Sequence, residues 1–117
     1  ISKAAAAGAG IIIRGGVARG APTDWQRRYY MLPGHTMRDL WEKARLDDLL
    51  NGMSRLEFTL RFTLSNPDLD TTIVGTRDPG HLHENIAAAL KGPLPEDLLR
   101  ETKHRLDQAG SRAVANS

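Results

Sequence analysis

The sequence predicts an α/β fold, because two short β-branched runs are each followed by a glycine-containing loop and then by helical segments. The first run is Ile11 to Ile13, and the second is Thr71 to Val74. Three β-branched residues in succession are typical of a strand that is buried on both faces of a parallel sheet. Around these runs, cap residues and apolar positions at helical spacing predict amphipathic helices.

The composition is that of one globular domain. The chain has 117 residues, of which 40% are hydrophobic and 26% are charged, as is usual for such domains. No apolar run approaches the roughly 18 residues that a membrane span needs, so we expect no membrane association. The absence of cysteine excludes a disulfide framework and a thiolate metal site. The absence of cysteine also suits a reducing cytoplasm, where we expect the protein. His35, His83 and His104 lie apart in polar surroundings, so we expect them to be surface residues and expect no metal site.

The charge pattern argues against a nucleic-acid partner. The formal net charge is only +2, and the pI is about 9.3. Basic residues are interleaved with acidic ones, as in Arg38-Asp39 and Glu42-Lys43. A nucleic-acid-binding face would gather its cations on one side, so we interpret these residues as a solvated surface.

The first element predicted is a short helix. Ser2 is its candidate N-cap, Ala4 to Ala7 are strong helix formers, and Gly8 or Gly10 can adopt the left-handed conformation that ends it. The chain begins at Ile1, with no Met and no strand ahead of this helix. We therefore expect it to be a piece of a longer protein.

A second helix follows an irregular stretch from Ala21 to His35. Thr36 and Asp39 resemble a capping box. The helix is predicted to continue toward Leu50, and Asn51-Gly52 to stop it. Its apolar face comprises Met37, Leu40, Trp41 and Ala44.

The segment from Leu56 to Leu64 is ambiguous. Apolar residues alternate strictly with polar ones, which is a strand pattern. Ser54 and Glu57, however, form a capping box, and Leu60 shares a helical face with both ends of the segment. Alternation alone favours the strand.

The second β-branched run leads into two further helices. Asp78 and Pro79 are an N-cap and a first-turn proline, and Gly92 ends the helix that they begin. The apolar stripe of this helix comprises Leu82, Ile86, Ala89 and Leu90.

The last predicted helix begins at Pro95. Glu96 and Asp97 are favourably placed in its first turn, and Gly110 can cap its end. Residues 1–110 therefore form the predicted domain, and residues 111–117 are predicted to be a frayed, disordered tail.

A candidate anion site follows the second run. The loop and helix start present backbone N–H groups and a partial positive charge to an anion. Gly75 allows close approach, Thr76 offers a hydroxyl, and Arg77 brings a cation suited to phosphate. His81 can add a donor, and two residues on the next turn can face the same ligand, namely Glu84 and Asn85. The same residues are also a good turn and helix cap that needs no ligand, so both interpretations stay open.

The end of the chain resembles an aldo-keto reductase. The resemblance is carried by LRFTLSNPDLDTTIVGTRDPGHLHENIAAALKGPLP. It extends from Met53 to about Leu106 and, more loosely, over Ile11 to Gly20. It implies a fragment of a (β/α)8 TIM barrel that covers about the last two strands and their helices, and it makes Ser54 to Leu64 a helix.

In such barrels the ligand lies at the carboxyl ends of the strands, and the family's cofactor is NADP. The resemblance implies that the adenosine phosphate is lined by Gly75, Thr76, Arg77 and His81, and that the adenine is reached by Glu84 and Asn85. It also implies that the loop beside the pyrophosphate and nicotinamide contains Arg14, Gly15, Val17 and Arg19. Many members have Lys at the position of Gly75, Arg at that of His81 and an aromatic residue at that of Arg14.

The catalytic residues of this family, a Tyr acid with Lys, Asp and His, belong to early strands, and nothing in this chain matches their motifs. The resemblance therefore implies the cofactor-binding end of an NADP-dependent oxidoreductase that reduces aldehydes or ketones to alcohols. We expect the chain to be inactive alone and to need the missing amino-terminal part of the barrel. The alternative is a non-catalytic module that self-associates through its exposed strands.

Overall fold

The computed structural model of the chain describes residues 1–14 and 37–110. In these ranges it contains α1 (Ser2–Ala6), β1 (Ile12–Arg14), α2 (Met37–Lys43), a 3₁₀ helix (Leu46–Leu49), α3 (Arg55–Leu64), β2 (Thr71–Ile73), α4 (Pro79–Lys91) and α5 (Glu96–Gln108). The coarse prediction of an α/β fold is confirmed. The irregular stretch from Ala21 to His35, the Thr36 cap and the tail 111–117 lie outside the described residues.

The two strands form a parallel pair, as predicted. Ile12 is opposite Thr71, and Arg14 is opposite Ile73. The prediction that the first strand is buried on both faces is wrong. Ile12 is 66% exposed and Ile73 is 61% exposed, because the described sheet has only these two strands and no described element covers this face. The opposite face, which includes Ile13, is half-buried.

The first strand also begins one residue later than predicted. The carboxylate of Asp70 accepts a hydrogen bond from the backbone N–H of Ile11 at 2.6 Å. The carbonyl of Ile11 in turn accepts from the N–H groups of Asp70 and Thr71. Ile11 is buried and joins α1 to the sheet.

Helix α1 is capped differently from the prediction. Ile1 is the N-cap, and Ser2 is the first helical residue. The hydroxyl of Ser2 donates to Oδ2 of Asp68 at 2.7 Å, so it is used in a tertiary contact instead of a cap. Gly8 has a φ of 85° just after the helix, and the predicted left-handed end is confirmed.

The prediction of one helix as far as Leu50 is wrong. Helix α2 ends at Lys43, and Arg45 has a φ of 53° before the 3₁₀ helix begins. This break buries Leu46 and lets the indole Nε1 of Trp41 donate to Oδ1 of Asp47 at 2.8 Å. The predicted stop is confirmed by the positive φ values of 49° at Asn51 and 85° at Gly52.

The ambiguous segment is a helix, as the capping box and the resemblance predicted. The Ser54 hydroxyl oxygen accepts from the N–H of Glu57 at 3.0 Å. Once the segment is helical, its apolar residues separate into faces, and Phe58 and Leu60 are buried. The ring of Phe58 packs edge to face on Trp41, with centroids 5.6 Å apart and planes at 79°.

The main core lies between α2, the 3₁₀ helix, α3 and the residues before α5. Its buried members are Trp41, Ala44, Leu46, Phe58 and Leu94. Arg61 connects α3 to the end of α4, since its guanidinium donates to the carbonyls of Gly92 and Pro93, each at 3.0 Å. The bond to Gly92 satisfies the carbonyl of the C-cap residue, which the end of a helix leaves without an intrahelical partner.

The start and end of α4 agree with the sequence. The carboxylate of Asp78 accepts from the N–H of Gly80 at 2.8 Å, Pro79 is the first helical residue, and Gly92 follows with a φ of 75°. The predicted apolar stripe, however, does not face the described core. The residues of α4 that are buried are Asn85 and Ala88.

Helix α5 begins after Pro95 and is followed by Gly110 with a φ of 96°, as predicted. Within residues 1–14 and 37–110, no helix combines the length and apolarity needed to traverse a bilayer.

Candidate functional site

The parallel register brings the ends of the two strands that precede the predicted ligand loops to one edge of the sheet. Arg14 and Ile73 are directly opposite each other at the ends of β1 and β2. Both strands run in the same direction, so the chain leaves them side by side. Arg14 is exposed at this edge. Three other residues predicted beside the cofactor, Gly15, Val17 and Arg19, lie outside the described part of the chain.

The turn between β2 and α4 is held by its own hydrogen bonds. The Thr76 hydroxyl oxygen accepts from the N–H of Asp78 at 3.1 Å. The Asp78 side chain then accepts from the N–H of Gly80. These two bonds fix the turn without a ligand and use one of the free N–H groups at the start of the helix.

Gly75 leaves the backbone of this turn open to an approaching group. It is exposed, and a Cβ built on it would meet nothing within 4 Å. No described part of the fold needs a glycine here for space, so the opening is available to a ligand.

Two nitrogen-bearing side chains, Arg77 and His81, flank the turn. Arg77 is exposed, and it forms no ion pair or hydrogen bond with any described residue. His81 Nε2 lies 3.9 Å from Oδ2 of Asp78, and their side chains are 63% and 59% exposed. That contact becomes an ion pair only when the imidazole is protonated. Arg77 is therefore the cation that the turn leaves available to an anion.

Two predicted site residues, Glu84 and Asn85, are less accessible than the turn. Oε1 of Glu84 accepts from the hydroxyl of Ser54 on the adjacent helix α3 at 2.9 Å. Asn85 is 7% exposed, and its Oδ1 is buried without a hydrogen-bond donor among the described residues. The structure thus leaves Gly75, Thr76, Arg77 and His81 exposed, whereas Glu84 is half-buried and bonded to Ser54 and Asn85 is buried.

Sequence reasoning did not find the role of Ser54 in this arrangement. The hydroxyl caps α3 and also holds Glu84, which is 30 positions away. The capping box revealed the first role because it is local. No local pattern could reveal the second.

The turn is an open surface in the described part of the chain. Two depressions, of about 390 Å³ and about 450 Å³, lie elsewhere. The first is next to Lys43 and Arg105, the second next to Ser2 and Asp68, and neither includes a residue of the turn. A dinucleotide at the turn would therefore need further walls.

Asp47 and Arg105, whose pKa values are shifted, do not belong to the turn. Hydrogen bonds from Arg55 hold the pKa of Asp47 below its ordinary value, and the bond from Trp41 acts in the same direction. The bond to Glu101 raises the pKa of Arg105. Within the described ranges, no group of three or more His, Cys, Asp and Glu side chains could hold a metal ion.

Comparison of the chain with protein-family models, curated proteins and solved structures finds no match. The geometry of the turn and the resemblance in the sequence are therefore the grounds for a functional proposal.

Proposed function

We propose that this chain is the carboxyl-terminal, cofactor-binding portion of an NADP-dependent aldo-keto reductase that reduces aldehydes or ketones to alcohols. The observation that carries the proposal is the exposed guanidinium of Arg77, which pairs with no residue in the described part of the chain, in a turn between a parallel strand and a helix N-terminus. Backbone N–H groups, the helix dipole and a cation at one place favour a phosphate.

The exposed residues of the turn fit the adenosine phosphate of NADP. Gly75 gives access to the backbone, and Arg77 provides a fork of N–H donors that matches phosphate oxygens. His81 can add a donor, since its Nε2 lies 3.9 Å from Oδ2 of Asp78, beyond hydrogen-bond distance. These residues would hold the phosphate by charge-assisted hydrogen bonds.

The adenine end of the cofactor fits less well. Glu84 already accepts a hydrogen bond from Ser54, and Oδ1 of Asn85 is closed to solvent. We therefore assign the phosphate to the turn and give Glu84 and Asn85 no direct contact with the cofactor in this arrangement.

The bound cofactor supplies the hydride, and the protein supplies orientation and a proton. We assign the proton-donating role to no residue of this chain. The proposal therefore includes that the chain alone does not turn over substrate and that it needs the amino-terminal part of the barrel.

The test replaces Arg77 with alanine and measures NADPH and NADH binding to the 117-residue chain by ³¹P NMR titration. A charge-assisted hydrogen bond contributes about 1.5–3 kcal/mol, so we expect NADPH binding to weaken by roughly ten-fold or more. NADH lacks the 2′-phosphate and should be affected less. Gly75→Ala should weaken NADPH binding by crowding the phosphate while leaving the fold intact, since its Cβ meets nothing.

Arg100→Ala is the matched control. This cation lies on α5 with 76% of its side chain exposed, and its removal should leave binding unchanged. Equal losses with R77A and R100A would overturn the phosphate assignment. Reduction of an aldehyde by the purified chain with NADPH would contradict the proposed lack of a catalytic acid.

A further inference from the structure

The dipeptide Asn51-Gly52 forms a type I′ turn between the 3₁₀ helix and α3. The φ values are 49° at Asn51 and 85° at Gly52, close to the roughly +60° and +90° of such a turn. A hydrogen bond from the N–H of Met53 to the carbonyl of Leu50, at 2.9 Å, closes the turn. Leu50 and Met53 pack against the main core. The core therefore fixes both ends of a turn whose two central residues are exposed.

The two groups that can react with each other in this turn are both unoccupied. The side-chain amide of Asn51 and the backbone N–H of Gly52 form no hydrogen bond with any described residue. Gly52 carries no Cβ, and a Cβ built there would meet nothing within 4 Å. Water and hydroxide can therefore reach the N–H of Gly52, and no side chain shields Cγ of Asn51 from that nitrogen.

We propose that Asn51 is a site of spontaneous covalent modification, at which the chain converts this asparagine to aspartate and isoaspartate. Asparagine is among the thermally labile residues. The nitrogen of Gly52 gives its proton to hydroxide and forms a bond to Cγ of Asn51, and the side-chain nitrogen leaves as ammonia. The product is a five-membered succinimide ring. The ring contains only atoms of Asn51 and the nitrogen of Gly52, so its closure needs no rearrangement beyond this exposed turn.

One water molecule then opens the ring at either of its two carbonyls. Cleavage between the nitrogen and Cγ gives aspartate with a normal backbone. Cleavage between the nitrogen and the backbone carbonyl carbon gives isoaspartate, in which the side-chain methylene has become part of the main chain. The whole conversion takes up water and releases ammonia, and it requires no oxidant or reductant. Either product carries a new carboxylate at position 51.

The isoaspartate product changes the connection between the 3₁₀ helix and α3. Its backbone is longer by one carbon atom, so it no longer fits a two-residue turn closed by the bond from Met53 to Leu50. Ser54, which caps α3, follows this turn directly. Modification at Asn51 therefore loosens the start of α3 and the packing of Met53 on the core. This site is independent of the proposed phosphate turn.

Two other asparagines of the described chain serve as internal controls. Asn66 precedes Pro67, whose nitrogen has no proton to lose. Asn85 is 7% exposed and lies within α4, where the N–H of the next residue takes part in the helical hydrogen bonding. The tryptic peptides 46–55, 62–77 and 78–91 contain Asn51, Asn66 and Asn85, one in each. A peptide map therefore reports on the three sites separately.

The test incubates the full, folded chain at mildly alkaline pH and follows these peptides by liquid chromatography and mass spectrometry. Peptide 46–55 should gain about 1 Da and separate into two products. Conversion at Asn51 should be at least about ten-fold faster than at Asn85, where the helix must first open. The rate should rise with pH, because deprotonation of the Gly52 nitrogen produces the nucleophile.

Asn51→Gln is the matched variant. Glutamine keeps the amide but would have to close a six-membered ring, so the variant should stay unmodified. Its urea unfolding midpoint should not change during the incubation, whereas that of the unmodified chain should fall. Circular dichroism before the incubation checks that both chains are folded.

The chain unfolded in urea is the reference in which every asparagine is accessible. Asn51 that stays intact in the folded chain for about ten times its half-life in urea would overturn the proposal. Equal rates at Asn51 and Asn85 in the folded chain would do so too, because they would place the reaction in the unfolded state. Aspartate as the sole product would show direct hydrolysis of the side chain and refute the attack by Gly52.

Discussion

Replacing Ser54 with alanine should remove two interactions at once. The hydroxyl accepts from the N–H of Glu57 at 3.0 Å and caps α3. It also donates to Glu84 at 2.9 Å and ties α3 to α4. Loss of an N-cap costs about 1 kcal/mol. Loss of an exposed hydrogen bond costs about 0.5 kcal/mol, at the low end of its usual range. We therefore expect the free energy of unfolding to fall by about 1–2 kcal/mol.

Ser54→Asp separates the two interactions. Aspartate caps a helix as well as serine does, but its carboxylate would repel that of Glu84. The variant should therefore keep the cap and lose the connection between the helices. Adding Glu84→Gln to it should restore part of the stability, because the glutamine amide can donate to the new carboxylate.

The assay is urea unfolding followed by circular dichroism at one pH, with Ser54→Ala, Glu84→Ala and the double variant forming a cycle. Groups in direct contact show coupling of about 0.5 kcal/mol or more. Additive losses would refute the contact between Ser54 and Glu84. A loss below about 0.3 kcal/mol for Ser54→Ala would refute the cap as well. Strong coupling would support a structural role for Glu84.

Two further predictions concern stability. Phe58 is 1% exposed, so Phe58→Ala should lower the free energy of unfolding by about 3–5 kcal/mol. Leu90 is 83% exposed, so Leu90→Ala should change the free energy of unfolding by less than about 0.5 kcal/mol. Similar losses for the two variants in urea unfolding would contradict the assignment of Phe58 to the core. Asp47 has a pKa below its ordinary value of 3.8 because Arg55 donates hydrogen bonds to its carboxylate. The stability that this carboxylate contributes is therefore present above pH 3.8 and is lost as the pH falls through the lowered pKa. The carboxylate is half exposed, which limits this contribution to under about 1 kcal/mol. Asp47→Asn should flatten the dependence of the free energy of unfolding on pH below about 4. An unchanged slope would show that other carboxylates cause this pH dependence.

The parts of the fold that the sequence predicted depend on neighbours along the chain. Ser54 acts on a residue three positions away, and Asp78 on one two positions away. The left-handed glycines likewise end the helices that precede them. Such signals are contained in a few consecutive residues, and they located the starts and ends of α3 and α4.

The predictions that failed depended on tertiary contacts. Helix α2 ends early because Trp41 reaches Asp47 and Leu46 enters the core, and no local pattern contains this. The burial of a strand depends on how many strands and helices surround it, which the run from Ile11 to Ile13 does not specify.

In the candidate site, too, the local bonds could be predicted from the sequence and the tertiary contact could not. Thr76 and Asp78 form the turn by bonds across two residues, and the interpretation of this sequence as a turn and helix cap predicted such a turn. The exposure of Arg77 also agrees with a residue in a turn. The direction of Glu84 toward α3 depends on how two helices dock, so spacing within α4 could not reveal it.

The parallel pairing of β1 and β2 also bears on the order in which the chain folds. The bond from Ile11 to Asp70 joins residues 59 positions apart, and closing a loop of that length costs roughly 3–4 kcal/mol of chain entropy. Helices α3 and α4 are close in sequence, so they can pair before this loop closes. We therefore expect the sheet edge that carries Arg14 and the turn between β2 and α4 to form after α3 and α4 have paired, so a ligand that contacts both Arg14 and this turn would stabilise the pairing of the two strands.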